Sequence, residues 1–255
     1  MQEINYMEFI IKLAGEAGEI IEKKFHTKVK VSVKKRQDLV TNVDKEVEQF
    51  VIKSIKKSFP DHEILAEESG TLQKTSEYRW IIDPIDGTTN FVHGLHFVAV
   101  SIGLEYKGEV VAGVVYNPIM KELFSAEKGR GACLNGKKIN VSQTRTLKAS
   151  LLATGFHPQY KDHNFNNFEK FTALSRGVRR CGSATLDLCY VAWGIFDGYW
   201  EYGLFPWDMA AGGLIVKEAG GKVTNTDGSK FNFCKKAILA TNGKIHSQML
   251  KTINL

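Results

Sequence analysis

The 255-residue chain has only four cysteines, Cys133, Cys181, Cys189 and Cys234, and no two of them form a C-x-x-C pair or a zinc-like spacing. A disulfide framework and a thiolate metal site are therefore not expected, and free thiols in a reducing cytoplasm are. Prolines number five, which argues against a Pro-rich linker and for a compact body. No apolar run approaches the roughly 20 residues that a membrane-spanning helix needs. Glu3, Glu8 and Lys12 interrupt the first apolar residues, so no secretory leader is expected. Repeats and low-complexity segments are missing. A dinucleotide fingerprint is missing too: Gly129-Arg130-Gly131 begins one, but Leu134 stands where the third glycine belongs.

What is present suits a folded body. Hydrophobic residues make up 43% of the chain, enough for a substantial core in one large domain or two closely packed subdomains. The net charge is +6, and Lys23, Lys24, Lys28, Lys30, Lys34, Lys35 and Arg36 carry much of the excess. With no aromatic interleaving beyond Phe25, this stretch reads as a solvated helix end followed by a lysine-protected edge strand. It could also form a basic rim that attracts anionic substrates. Neither a nucleic-acid nor a membrane partner is expected, and the localisation expected is cytoplasmic.

Periodicity predicts a helix over residues 3–25, a strand over 29–33 and a second helix over 42–59. A short strand, Glu63 to Ala66, precedes Glu67-Glu68-Ser69. Strands over 98–106, 109–116, 122–127 and 132–134, with tight turns at Lys107-Gly108 and Asn135-Gly136, predict an antiparallel meander. Strands over 150–154, 177–180, 196–201 and 237–240 then alternate with helices over 165–175, 184–193, 207–219 and 245–253. This order predicts two sheet-bearing halves, an N-terminal α+β subdomain over 1–144 and a C-terminal α/β subdomain over 145–255, in one compact unit.

The chemistry concentrates in Asp83-Pro84-Ile85-Asp86-Gly87-Thr88-Thr89-Asn90-Phe91. An apolar run, Tyr78 to Ile82, reads as the end of a buried strand. Two carboxylates then fall on a Pro-containing turn, and a helix begins near Gly87-Thr88. Clustered carboxylates are compensated by a cation, and backbone N–H groups at a helix start face an anion. In isolation, Asp-Pro and Asp-Gly are ordinary turn pairs, and Asp44 and Asp208 are ordinary helix-start acids. Their company tells against that reading: Glu67 follows one strand, and Asp208 opens a helix after Pro206. The donors are all hard oxygens, which suits Mg²⁺ rather than zinc.

Asp38-Leu39-Val40-Thr41 with Asp44, Glu67-Glu68-Ser69, Asp83 to Phe91, Gly182-Ser183-Ala184, Glu201 and Trp207-Asp208 occur in an order and spacing that resemble the inositol monophosphatase family. The resemblance covers essentially the whole chain. It implies a layered αβαβα sandwich of the inositol monophosphatase/fructose-1,6-bisphosphatase type, a mixed α+β and α/β fold. It implies a Mg²⁺-dependent phosphatase acting on inositol monophosphate or related sugar phosphates, by in-line attack of metal-activated water, and a homodimer. About two to three Mg²⁺ per active site are implied. Their ligands would be Glu67, Asp83, the Ile85 carbonyl, Asp86 and Asp208, with Asp83 bridging. Thr88 and Asp44 would handle the proton, and Asp44, Glu67 and Thr88 form the implied catalytic set. Asp86, Gly87, Thr88, Gly182, Ser183, Ala184, Glu201 and Asp208 would meet the phosphate ester. Glu68 is read as a supporting acid, His93 and His96 as loop or packing residues, and Cys181 and Cys189 as interior residues. Glu201 is expected to be an exposed carboxylate at a strand end. His96 departs from the proline of the family's H-G-x-P stretch.

Overall fold

The structure, a computed structural model, describes residues 5–33, 39–72, 76–156 and 161–254. Asp38, Lys34, Lys35 and Arg36 lie outside the described residues. The chain opens with α1 (Tyr6–Lys24), β1 (Val31–Val33), β2 (Leu39–Thr41) and α2 (Asn42–Ser58). Then come β3 (Glu63–Ala66), β4 (Gly70–Leu72), β5 (Tyr78–Asp86), α3 (Thr88–His93), β6 (Ala99–Tyr106), β7 (Glu109–Asn117), β8 (Glu122–Glu127), β9 (Gly131–Leu134) and β10 (Lys137–Ile139). The remainder is β11 (Leu151–Thr154), α4 (Lys161–Leu174), β12 (Gly177–Arg179), α5 (Ala184–Ala192), β13 (Gly198–Tyr202), α6 (Pro206–Glu218), β14 (Lys222–Thr224), β15 (Ala237–Thr241) and α7 (His246–Ile253).

Two large sheets organise these elements. The first has eight strands in the order β10-β9-β8-β7-β6-β5-β3-β4, and the second five in the order β12-β11-β13-β15-β14. The expected meander is there from β6 to β9, β5 and β10 extend it at either end, and hairpins turn where φ is positive, at Lys107-Gly108 and Asn135-Gly136. The short strands β4, β10 and β14 were not expected. Each is three residues long, too short for alternation to register.

The layering follows from which residues each sheet face buries. Trp80, Ile82, Val100 and Ile102 project to one face of the eight-stranded sheet, against Ile10, Leu13, Ile21, Val47 and Val51 of α1 and α2. Their neighbours Ile81, Ala99 and Val115 project to the other face, against α5 and α6. Successive strand residues point to opposite faces, so one run serves two cores. Tyr199, Ile238 and Ala240 of the second sheet close that middle core from the far side. Leu152, Trp200 and Leu239 face outward onto Phe171 and onto Met249 and Ile253 of α7. The result is the αβαβα sandwich. The small sheet β1–β2 lies outside these layers, and β1 is exposed along its length, as read for the basic stretch.

Close packing sets how near α6 lies to the sheet. A Cβ on Gly113 of β7 would stand 2.9 Å from the Ala211 Cα, so the helix lies directly on the sheet. None of the described helices is long and apolar enough to cross a membrane.

His246 gives the fold a pH dependence. It is 1% exposed, with Nδ1 3.0 Å from Thr241 Oγ1 and Nε2 3.1 Å from Thr224 Oγ1. Burial, with a smaller contribution from Lys222, pushes its pKa down to about 4. A lowered histidine pKa means that the folded protein prefers the neutral ring. Its contribution is complete above the unfolded value near 6.5 and is lost as pH falls toward 4, by at most about 3 kcal/mol. Urea midpoints compared between wild type and His246→Gln isolate the imidazole, because the other buried groups titrate in both. The wild type should lose stability relative to the variant between pH 6.5 and 4.5. Parallel curves would rule this role out.

Candidate active site

The site assembles where strand ends and helix starts meet. β3 and β5 run parallel, with Ala66 level with Ile82. Glu67 follows β3 and its N–H donates to the Ile82 carbonyl at 3.2 Å, so Glu67 emerges beside Asp83. The carboxyl ends of adjacent parallel strands are where α/β sheets commonly carry ligands.

One expectation needs correcting here. Asp83, Pro84, Ile85 and Asp86 do not form a turn after the strand. They are the last residues of β5, and the pairing with β6 shifts register between Asp83 and Asp86. Proline supplies no N–H, which a bulge tolerates and a regular ladder does not. The bulge spaces two carboxylates along one buried strand end.

The turn comes at Gly87, whose φ of 94° caps α3 in the left-handed region. A side chain there would also meet the Phe97 carbonyl at 2.9 Å, so glycine is required on both counts. Thr88 follows, and its Oγ1 lies 2.9 Å from Asp44 Oδ1 and 3.1 Å from the Ile85 carbonyl. Asp44 is 1% exposed in the first turn of α2. The Thr41 N–H and Oγ1 both donate to its Oδ2, at 2.8 and 2.5 Å, leaving Oδ1 for Thr88. Asp44 is therefore both a helix cap and the partner of Thr88. Burial raises its pKa against the opposing pull of Thr41 and Thr88.

Asp86 is anchored from the far side of the site. Ser183 Oγ, the Thr185 N–H and Thr185 Oγ1 donate to its Oδ2 at 2.7, 2.7 and 2.6 Å. The hydroxyl of Ser183, a residue expected beside the substrate, thus holds Asp86, and Ser183 is buried. Gly182, with φ of 89°, and Ala184 flank it at the start of α5. Asp208 sits in the first turn of α6, where its Oδ2 accepts from the Phe205 N–H at 2.7 Å. Its pKa is held well above the ordinary range, first by burial of the carboxyl and then by Asp86, with Glu67 and Glu201 adding to it.

Glu201 also differs from expectation. It is the fourth of five residues in β13 and 8% exposed, not an exposed strand end. Tyr199 Oη donates to its Oε2 at 2.5 Å. Burial, with Asp86 adding, pushes the Glu201 pKa up to about 7 although Tyr199 and Arg180 pull it down.

Several supporting residues were not foreseen. Glu48, one turn beyond Asp44 on α2, accepts from the Glu68 N–H at 2.8 Å and Ser69 Oγ at 2.6 Å, fixing the loop that carries Glu67. The i, i+4 spacing from Asp44 is the signal that could have found it. Asn90 donates to the Phe97 and Cys181 carbonyls at 2.8 and 2.9 Å, joining α3 to the segment before α5. Asp187 is buried with Oδ1 unpartnered. His93 and His96 are exposed. His96 packs its ring near Phe25, 5.5 Å between centroids, as read. Cys189 is buried in α5 and Cys181 half-buried before it.

Whether these acids suit a metal turns on Asp83. It is 2% exposed, and its Oδ1 is buried with no hydrogen-bond partner. Its pKa is driven well upward, first by burial and then by Glu67, Asp86, Asp208 and Asp44. A buried carboxylate oxygen without a donor, among four other acids, calls for a cation or a proton. Among the described residues, no three Asp, Glu, His or Cys side chains form a preassembled cage. Mg²⁺ does not need one, because it retains several waters and binds few carboxylates. The oxygen donors fit it.

Acids converging on a glycine-opened helix start, within an αβαβα sandwich, fit a hydrolase of the phosphatase class, and the family match shows that class. The chain belongs to the inositol monophosphatase family, whose model matches residues 3–254. It is 50% identical to the inositol-1-monophosphatase of Synechocystis sp. over 85% of this chain and 77% of that protein. It is 44% identical to the Nus factor SuhB of Escherichia coli K12 over 96% of this chain and 94% of that protein. The extragenic suppressor protein suhB of Bartonella henselae superposes with a TM-score of 0.94 at 40% identity, over 98% of each chain. An IMPase/NADP phosphatase solved with Mg²⁺ and phosphate superposes at 0.87 and 28% identity, over 97% of this chain and 94% of that one.

Proposed function

We propose that the chain is a Mg²⁺-dependent phosphomonoesterase that hydrolyses inositol monophosphate, and related sugar phosphates less well. The observation that carries this is the bare, buried Asp83 Oδ1 among Glu67, Asp86 and Asp208, beside the bonded Thr88–Asp44 pair. Glu67, Asp83, the Ile85 carbonyl, Asp86 and Asp208 would hold about two to three Mg²⁺. Bound Mg²⁺ supplies charge compensation for the phosphate and makes water acidic enough to attack at neutral pH.

The chain's own groups do the rest. Gly87 and Thr88 turn their backbone N–H groups to the phosphate. The water oxygen bonds to phosphorus as the ester P–O bond breaks on the opposite side. The water proton passes to Thr88 Oγ1, which gives its own proton to Asp44 Oδ1. A hydroxyl is a poor base alone and needs such a partner. Glu201, with Gly182 and Ala184, faces the hydroxyls of the leaving alcohol, which departs as the alkoxide and takes up a proton from solvent water, while Asp44 returns its proton to solvent and regains its carboxylate. All four cysteines are free, which supports a reducing, cytoplasmic setting.

A phosphate-release panel with Mg²⁺ tests this reading. Inositol 1-phosphate should turn over faster than fructose 1,6-bisphosphate, and adenosine 3′,5′-bisphosphate least. Faster release from fructose 1,6-bisphosphate would move the assignment to the bisphosphatase or dual type. A second reading, binding without catalysis, draws on the relatives named Nus factor SuhB. Salt-dependent RNA affinity in a protein that releases phosphate from none of these esters would favour it.

A further inference from the structure

β11 and β13 are parallel neighbours, with Thr154 level with Trp200, so Gly155 and Glu201 lie side by side at their carboxyl ends. Thr154 Oγ1 donates to the Trp200 carbonyl at 2.7 Å and ties the two ends together. The space beside Gly155 is filled by the Glu201 carboxylate. A Cβ on Gly155 would overlap both its oxygens and Cδ. Tyr199 and Glu201 are two residues apart on one strand and therefore share a face. The fully buried Tyr199 hydroxyl reaches Glu201 Oε2 at 2.5 Å. The carboxylate is thus seated from two sides, in the room left by the missing side chain of Gly155 and by a donor from Tyr199.

We propose that Gly155 and Tyr199 determine selectivity for polyol phosphates by fixing where the Glu201 carboxylate meets the substrate's hydroxyls. This rests on the reading of Glu201 given above. Neither residue touches the reacting phosphate; both act through Glu201, as positioning residues. The carboxylate is the free end of a flexible side chain. A methyl group at position 155 would therefore displace it without forcing the strands apart, moving the recognition group and leaving the acids around Asp83 where they are. A site built to accept from a substrate hydroxyl discriminates against esters that lack one, and that discrimination depends on geometry.

The readout is the ratio of kcat/KM for inositol 1-phosphate to that for p-nitrophenyl phosphate, whose leaving group carries no polyol hydroxyls. Gly155→Ala should lower this ratio at least about tenfold, mainly through KM for inositol 1-phosphate. Tyr199→Phe keeps the ring in the core, removes only the donor, and should lower it about three- to tenfold. Thermal melts of both variants report folding separately. Proportional losses on both esters, or a wild-type ratio in both variants, would overturn the proposal. A wild type with no preference for inositol 1-phosphate would overturn the functional reading itself, and this one with it.

Discussion

Asp83→Asn should abolish Mg²⁺-dependent phosphate release, by at least about 10³-fold, while the metal-free protein should melt no lower than wild type. The two halves of this result have one cause. Asp83 is buried among acids that all raise its pKa, and one of its oxygens has no donor. Without a cation this carboxylate is a liability to the fold, so replacing it with a neutral isostere relieves repulsion. With a cation bound it would become a ligand that no neighbour could replace. Melting curves in EDTA and in Mg²⁺ separate the two states. Wild type should gain melting temperature on Mg²⁺ addition, because the ion binds the folded state, and Asp83→Asn should lose most of that gain. A variant that retains turnover would remove Asp83 from the reaction. One that melts well below wild type in EDTA would mark it as structural.

Thr88→Val should lower kcat by about 10² to 10⁴ with KM nearly unchanged, and Thr88→Ser should restore most of the loss. Valine preserves the shape at the start of α3 and removes only the hydroxyl, which lies 2.9 Å from Asp44 Oδ1. Its loss leaves a buried carboxylate oxygen without its donor, so a destabilisation of about 1–3 kcal/mol accompanies it. The serine variant separates the effects, because it returns the donor and the proton path together. If valine and serine were equally active, the proton would travel by another route. If Thr88→Val raised KM and spared kcat, the hydroxyl would serve binding.

Much of the site was legible because its acids stand where local rules already favour acids. Asp44 and Asp208 are first-turn residues of α2 and α6, and the helix starts were readable from Thr41 and Pro206. Glu67 was readable as the residue after a short strand. Convergence of these distant acids was not readable from periodicity, and it came from the family motifs. The order of helices and strands was legible because long amphipathic helices and alternating strands declare their periods, whereas the αβαβα layering was what the family resemblance implied. The misreadings share a different origin. Asp-Pro-Ile-Asp signals a turn to any local rule, yet pairing with β6 keeps it in the sheet as a bulge. Glu201 read as exposed because a glutamate in a strand usually is. The donor that makes its burial tolerable, Tyr199, stands two residues away on the same strand, and the space that admits it, at Gly155, comes from the parallel pairing of β11 and β13. The bond from the Ser183 hydroxyl to Asp86, 97 residues away in sequence, was not foreseen. Contacts of that separation leave no trace in local pattern.

The central claim is that Asp83 and its acidic neighbours gather around divalent cations. Crystals grown with Mn²⁺, a stand-in for Mg²⁺ that scatters anomalously, test it most directly. The account predicts an anomalous peak bonded to Asp83 Oδ1, with further ligands from Glu67, Asp86 or Asp208. Crystals at saturating Mn²⁺ with no peak there, and with Asp83 Oδ1 hydrogen-bonded to protein instead, would contradict it.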